Sequence, residues 1–269
     1  MDIATLIQWF ETWASPAWQE KWDNCGWQIE PGLLQEPARV LVCLTPTLAV
    51  MKEAIALQQN GTPVNLIFAH HPLIFAPLKS INQSDPLGEM VQLAITHRIG
   101  VYSAHTNFDQ VADGTADVLA QRLDLQHTEP IEPTQEGLGY GRVGNLRASL
   151  TLQKLLDKIQ AALNPADLLV SPADRQTRIQ RVAVLGGSGA SYIPAVARTG
   201  AQVYLTSDCK FHQFQESRDR NLILIDAGHY ATERPACALL VEKFQQIGIE
   251  WVKLSDRDED FRQFGGITP

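Results

Sequence analysis

Three short polar segments each close an apolar run, and between them they hold His70, His71, His105 and His229, four of the seven histidines. Ala69-His70-His71-Pro72 follows the run that starts at Val64. Ser103-Ala104-His105-Thr106-Asn107-Phe108-Asp109 follows Gly100-Val101-Tyr102. Asp226-Ala227-Gly228-His229-Tyr230-Ala231-Thr232-Glu233 follows the run that starts at Asn221. Imidazole nitrogen and carboxylate oxygen suit zinc, iron or manganese, and the absence of paired thiolates nearby argues against a closed structural zinc. The candidate ligands are His70, His71, Asp109, His229 and Glu233. Successive side chains of an extended backbone point to opposite faces, so His70 and His71 are expected to serve two neighbouring ions. His229 and Glu233 stand four apart, on one face of a helical turn, where the glutamate could bridge both ions. Three histidines and two carboxylates leave positions for water or substrate, as a catalytic pair of ions requires.

Taken singly, these features are commonplace. An HH pair is usually surface or hinge chemistry, an HxxxE is usually a helix-surface pair, and an aspartate after a strand is usually a turn residue. What sets them apart is their shared placement, because ligands gather at the carboxyl ends of strands in open α/β sheets. His105 and His212 are candidates for further ligands, general acids or residues that orient a ligand, and His105 is preferred for orientation or proton transfer. Gly187, Ser188 and Gly189, in a glycine loop between a strand and a helix, could cradle a phosphate together with Arg142.

The elements that must position these residues alternate. Apolar runs at 39–44, 64–69, 100–104, 181–185, 202–206 and 221–226 read as strands. Helical periodicity appears near residues 3–10, 46–59, 90–96, 113–123, 152–163, 192–199 and 234–247. Strand–helix alternation predicts a largely parallel α/β sheet. The stretch 127–144 holds prolines and glycines without clear periodicity, so the expected domains are 1–127 and 128–269, with the last helix able to pack back on the first.

The composition narrows the function further. A hydrophobic content of 45% supports full cores and argues against disorder. The net charge of −8, without a Lys/Arg run, disfavours nucleic acid and an anionic membrane surface as partners. Four scattered cysteines without a CxxC pair point to thiols in a reducing compartment. With no apolar stretch of membrane-spanning length and no leader pattern, the expected address is the cytoplasm.

Seven ordered segments resemble one known family: Asp23-Asn24-Cys25-Gly26-Trp27, His70-His71-Pro72-Leu73, the segment 103–109, Gly139-Tyr140-Gly141-Arg142-Val143-Gly144, Gly186-Gly187-Ser188-Gly189, Thr206-Ser207-Asp208 and the segment 226–233. The chain is similar to the dinuclear-metal proteins called GTP cyclohydrolase 1 type 2 homologs, or NGG-interacting-factor-three-like proteins. That resemblance implies two α/β domains with two divalent ions in the cleft between them, and a toroidal hexamer. It also implies one ion on His70 and Asp109, the other on His71 and His229, and Glu233 as the bridge. Ser207 and Ala116 stand where the family often has Gly and Asn.

The function expected from these residues is metal-dependent hydrolysis of a small, nucleotide-like or phosphorylated substrate. Two ions would acidify a shared water near neutral pH. The rival readings are a metal-carrying scaffold without catalysis and, against the charge, a nucleic-acid-binding ring.

Overall fold

The computed structural model describes residues 1–135 and 137–263. The chain divides into two compact α/β units. One comprises Met1–Phe108 with Cys237–Glu259, and the other Asp109–Ala236 with the described residues from Asp260 onward.

The first unit opens with helix α1 (Ile3–Trp13), capped by the Asp2 side chain, which accepts from the Thr5 N–H at 2.7 Å. Ile3, Leu6, Ile7 and Phe10 are its buried stripe. Then come β1 (Gly26–Ile29), β2 (Arg39–Cys43), α2 (Leu48–Gln59), β3 (Leu66–Ala69), α3 (Pro86–Thr96), β4 (Gly100–Ser103) and the short α4 (Thr106–Gln110). The sheet order is β1-β4-β3-β2, with the late strand Trp251–Leu254 beyond β2, and only β1 runs antiparallel to its neighbour. β3 and β4 are buried throughout, as parallel strands covered on both faces must be. An aromatic cluster fills one side of the sheet: Phe10 meets Phe68 at 4.9 Å and both Tyr102 and Phe108 at 6.0 Å between centroids. The register pairs Ala69 with Ser103, so β3 and β4 end side by side. That register is what brings the two histidine segments together.

The second unit continues with α5 (Thr115–Arg122), β5 (Leu125–Glu129), β6 (Glu132–Gln135), β7 (Leu138–Tyr140), β8 (Arg142–Thr151), α6 (Leu152–Leu163), β9 (Leu169–Val170), β10 (Arg178–Val184), α7 (Ile193–Arg198), β11 (Val203–Thr206), α8 (Phe211–Asp219) and β12 (Ile223–Asp226). Its sheet runs β5-β8-β10-β11-β12-β9. The central β10, β11 and β12 are parallel, and the flanking strands are antiparallel. One face is packed by Leu152, Leu155, Leu156 and Ile159 of α6, the other by Ile193 and Val196 of α7. Helix α9 (His229–Gln246) follows β12.

The Pro/Gly-rich stretch read as a junction lies inside the second unit, where it supplies β5, the β6–β7 ribbon and the start of β8. By contact, the chain divides near 108 and 236 instead. β6 is exposed along its length, so no apolar alternation marked it as a strand. Helix α9 begins at His229, five residues ahead of the helical periodicity, with Pro235 inside it. Among the described residues no helix is long and apolar enough to cross a membrane.

Candidate metal centre

The carboxyl ends of β3 and β4 carry three imidazoles. His70 and His71 leave β3 in a bend, their N–H groups donating to the carbonyls of Cys43 at 3.1 Å and Leu44 at 2.8 Å. Because the bend ends the extended geometry, the two rings are not thrown to opposite faces. His70, His71 and His105 each offer a ligand atom, and the three atoms lie within 4.8 Å of one another. The two neighbouring histidines therefore converge, and His105 joins them.

Each ring is also held at Nδ1. His70 meets the Ala104 carbonyl at 2.7 Å, His71 meets Thr45 Oγ1 at 2.8 Å, and His105 meets Asp23 Oδ1 at 2.8 Å. A carbonyl or carboxylate accepts only if the ring donates, so His70 and His105 carry their proton on Nδ1 and their lone pair on Nε2. Metal-binding histidines are oriented in this way. Burial alone would raise the Asp23 carboxyl, but hydrogen bonds from His105 and Thr106 outweigh it and hold the group well below the usual carboxylate range. Asp23 thus stays an anion that fixes the His105 ring from 82 positions away in sequence, a pairing that no local pattern marks.

The second unit brings His229 and Glu233 together on the first turn of α9, with Nε2 and Oε2 2.8 Å apart. His229 Nδ1 faces Asp208 Oδ2 at 2.5 Å. Burial would lower this imidazole, yet the two carboxylates outweigh it and raise its pKa to about 10. The metal-free ring is therefore a cation between two anions, which is the charge arrangement a divalent ion would take over. Below about pH 6.5 this arrangement contributes its full stability, and the contribution fades as pH rises through about 10. An ion binding at Nε2 must displace a proton. Calorimetric titration with manganese at pH 8, in buffers of different ionisation enthalpy, should show about one more proton released per chain by the wild type than by His229→Gln.

Gly186 and Gly187 lie against this pair. A Cβ on Gly187 would stand 2.0 Å from Glu233 Oε1 and 3.5 Å from His229 Cε1, and its φ of +67° already favours glycine. The loop is a seat for the glutamate, and two of its amides are bonded inside the unit. The Gly187 N–H donates to Thr232 Oγ1 and the Gly189 N–H to Thr206 Oγ1, both at 3.0 Å. Ser188 alone of the expected phosphate contacts in this loop is exposed.

Arg142 is likewise committed elsewhere. Its five donors meet both oxygens of Asp117 and the carbonyls of Gly139, Gly141 and Val111, at 2.6 to 3.2 Å. A guanidinium has five N–H groups, so none remains for a phosphate. The expected substrate contact gives way to a structural tie between α5 and the start of β8. Lysine cannot reproduce a five-donor fork. Arg142→Lys is expected to cost about 2 kcal/mol in denaturant unfolding, since buried acceptors would lose their partners.

Asp109, from α4, accepts from Thr115 Oγ1 at 2.6 Å in the second unit. His212 is exposed on α8.

Comparison with known proteins adds kinship to this geometry. The family profile described as Duf34/NIF3 (NGG1p interacting factor 3) matches residues 1–259. A Nostoc sp. protein named GTP cyclohydrolase 1 type 2 homolog is 69% identical over 265 residues, covering 98% of this chain and 99% of its own. A Streptomyces coelicolor protein of the same name is 34% identical over 235 residues, 85% of this chain and 80% of its own. Among solved structures, a Bacillus cereus protein related to NIF3 shares the fold with a TM-score of 0.88 at 24% identity, over 98% of this chain and 99% of that one.

Proposed function

Since the chain belongs to the Duf34/NIF3 (NGG1p interacting factor 3) family, we propose that it is a metal-dependent hydrolase of a small, nucleotide-like substrate. The observation that carries this reading is the convergence of His70 and His71 as donors with His105 beside them as a proton-transferring group, each ring held at Nδ1 by its own partner. Histidines seldom meet in threes with each ring oriented by a separate partner. The donor set fits a divalent zinc, iron or manganese ion.

In this reading His70, His71 and Asp109 from one stretch of the chain, and His229 and Glu233 from another, would hold two ions. Bound there, the ions would supply Lewis acidity toward water and toward a substrate oxygen. The chain's own residues do the rest. Asp23 keeps His105 in one orientation, and His105 holds or passes a proton at Nε2 beside the other two rings. Asp208 keeps His229 turned toward Glu233. The relatives' name, GTP cyclohydrolase 1 type 2 homolog, makes a purine nucleotide the first substrate to try. The ring-shaped hexamer implied by the resemblance belongs to the same proposal, and sedimentation of a six-chain particle would support it.

The test is a screen of nucleotides and phosphoesters with protein reloaded with manganese, zinc or iron, run beside Glu233→Ala. Turnover that needs metal and disappears in the variant supports the proposal. Metal binding without turnover of any substrate favours a scaffold, and protein that takes up no divalent ion overturns the reading.

A further inference from the structure

The first unit carries two large aromatic side chains that its core does not use. Trp22 is 59% exposed and Phe75 is 56% exposed, yet their ring centroids lie 6.0 Å apart at a tilt of 48°. Trp22 also meets His105 edge to face, with centroids 6.2 Å apart and planes at 80°. His105 belongs to the imidazole cluster, so the exposed pair begins where that cluster ends.

Rings of this size exposed together are costly in water and usually mark a contact. Exposed side chains on loops are ordinarily loose, but these loops are tied to each other. Asn24 Nδ2 donates to the Ile74 carbonyl at 2.6 Å and to Gln28 Oε1 at 3.2 Å. Gln28 Oε1 accepts from the Ile74 N–H at 3.0 Å, and Gln28 Nε2 donates to the Asn24 carbonyl at 2.7 Å. One amide pair therefore fixes the backbone two residues after Trp22 and directly before Phe75. The sequence puts more than 50 positions between the two rings, and this clamp closes that gap.

We propose that the Trp22 indole is the stacking face of a platform for the base of a purine nucleotide, with Phe75, tilted at 48°, packing against the edge of that base, which sets the base beside the His70, His71 and His105 cluster. The chemical consequence rests on the function proposed above, but the binding does not. A π-face accepts a planar heteroaromatic ring through dispersion and quadrupole contact, whatever its hydrogen-bonding edge. A purine is bicyclic, as the indole of Trp22 is, so its overlap with that face exceeds a pyrimidine's. Trp22 and Phe75 are in this sense specificity-determining residues, which select a substrate by its flat ring.

The experiment measures binding of guanosine 5′-monophosphate and of ribose 5-phosphate to the full chain by calorimetry, with and without manganese. Trp22→Ala and Phe75→Ala are each expected to weaken the nucleotide about 10- to 100-fold, the usual effect of losing one stacking ring. Ribose 5-phosphate binding and metal content should not change, Trp22→Phe should restore most of the affinity, and Phe211→Ala, on α8, should behave as wild type. Equal nucleotide affinity in wild type and Trp22→Ala overturns the platform. So does a wild-type chain that binds no nucleotide, or a Trp22→Ala chain whose only change is a different oligomeric state. Ring binding without hydrolysis would count against the hydrolase reading alone. Metal-dependent turnover of a substrate without a ring, with no nucleotide binding, would sink the platform alone.

Discussion

Gly187→Ala should leave the chain folded while removing most of its affinity for metal. The added Cβ would stand 2.0 Å from Glu233 Oε1 and 2.9 Å from Glu233 Cδ. The atoms in its way are the end of a flexible side chain, so the clash is relieved by moving the carboxylate and the backbone can stay. The stability cost is then mainly the left-handed backbone at φ +67°, about 1–2 kcal/mol for a residue with a Cβ. The ligand, in contrast, is displaced by more than the tolerance of a metal site. Metal affinity should fall by at least the roughly 10- to 100-fold that loss of a supporting partner costs, and turnover with it. Elemental analysis after dialysis, beside a thermal melt, separates the two effects. Ser188→Ala, at the exposed neighbour, should change neither. If Ser188→Ala weakened a phosphorylated ligand while Gly187→Ala kept its metal, the loop would be a phosphate cradle after all.

What was legible in the sequence follows from how each element is buried. β3, β4 and β12 are buried on both faces or nearly so and read as unbroken apolar runs. The polar segments that close them therefore stood out. β1 is only half-buried and β6 is exposed along its length, so neither showed a pattern. α8 has a single buried residue, Ser217, and begins with Phe211 at 88% exposure, so it lacked an apolar stripe. The division into units was hidden for a different reason. It depends on Cys237–Glu259 returning to residues more than a hundred positions earlier, including the strand Trp251–Leu254 that pairs with β2.

The candidate site shows the same limits. Residue type and placement single out His70, His71, Asp109, His229 and Glu233, with His105 beside them as an orienting or proton-transferring group, because imidazole and carboxylate at strand ends carry a chemical signal of their own. The partners that orient them, Asp23 and Asp208, carry none, since an aspartate in a turn looks the same whatever it faces. Arg142 and the glycine loop were read as phosphate contacts because their residue types suit that task. Most of the hydrogen bonds that occupy them, from Arg142 to Asp117 and Val111 and from the loop to Thr232 and Thr206, are tertiary and have no local signature.

His105→Ala should lower metal-dependent turnover by about 10²- to 10⁴-fold, the range for losing a group that transfers a proton, while metal content stays that of the wild type. The argument starts from Asp23, which hydrogen bonding holds ionised at any working pH. Its Oδ1 accepts from His105 Nδ1 at 2.8 Å, and its Oδ2 accepts from the Thr106 N–H at 3.1 Å. Carboxylate and backbone are thereby locked together, and the ring has one orientation with its lone pair on Nε2. A histidine held in this way can receive a proton there, and the resulting imidazolium is stabilised by the carboxylate behind it. Asp23→Asn should then show the same loss in smaller measure, with the ring present but less firmly set. The decisive comparison pairs turnover with elemental analysis across wild type, His105→Ala and Asp23→Asn. If His105→Ala loses one metal equivalent along with its activity, His105 is a ligand and the proton must move through another group. If turnover is unchanged with full metal, His105 has no part in the chemistry.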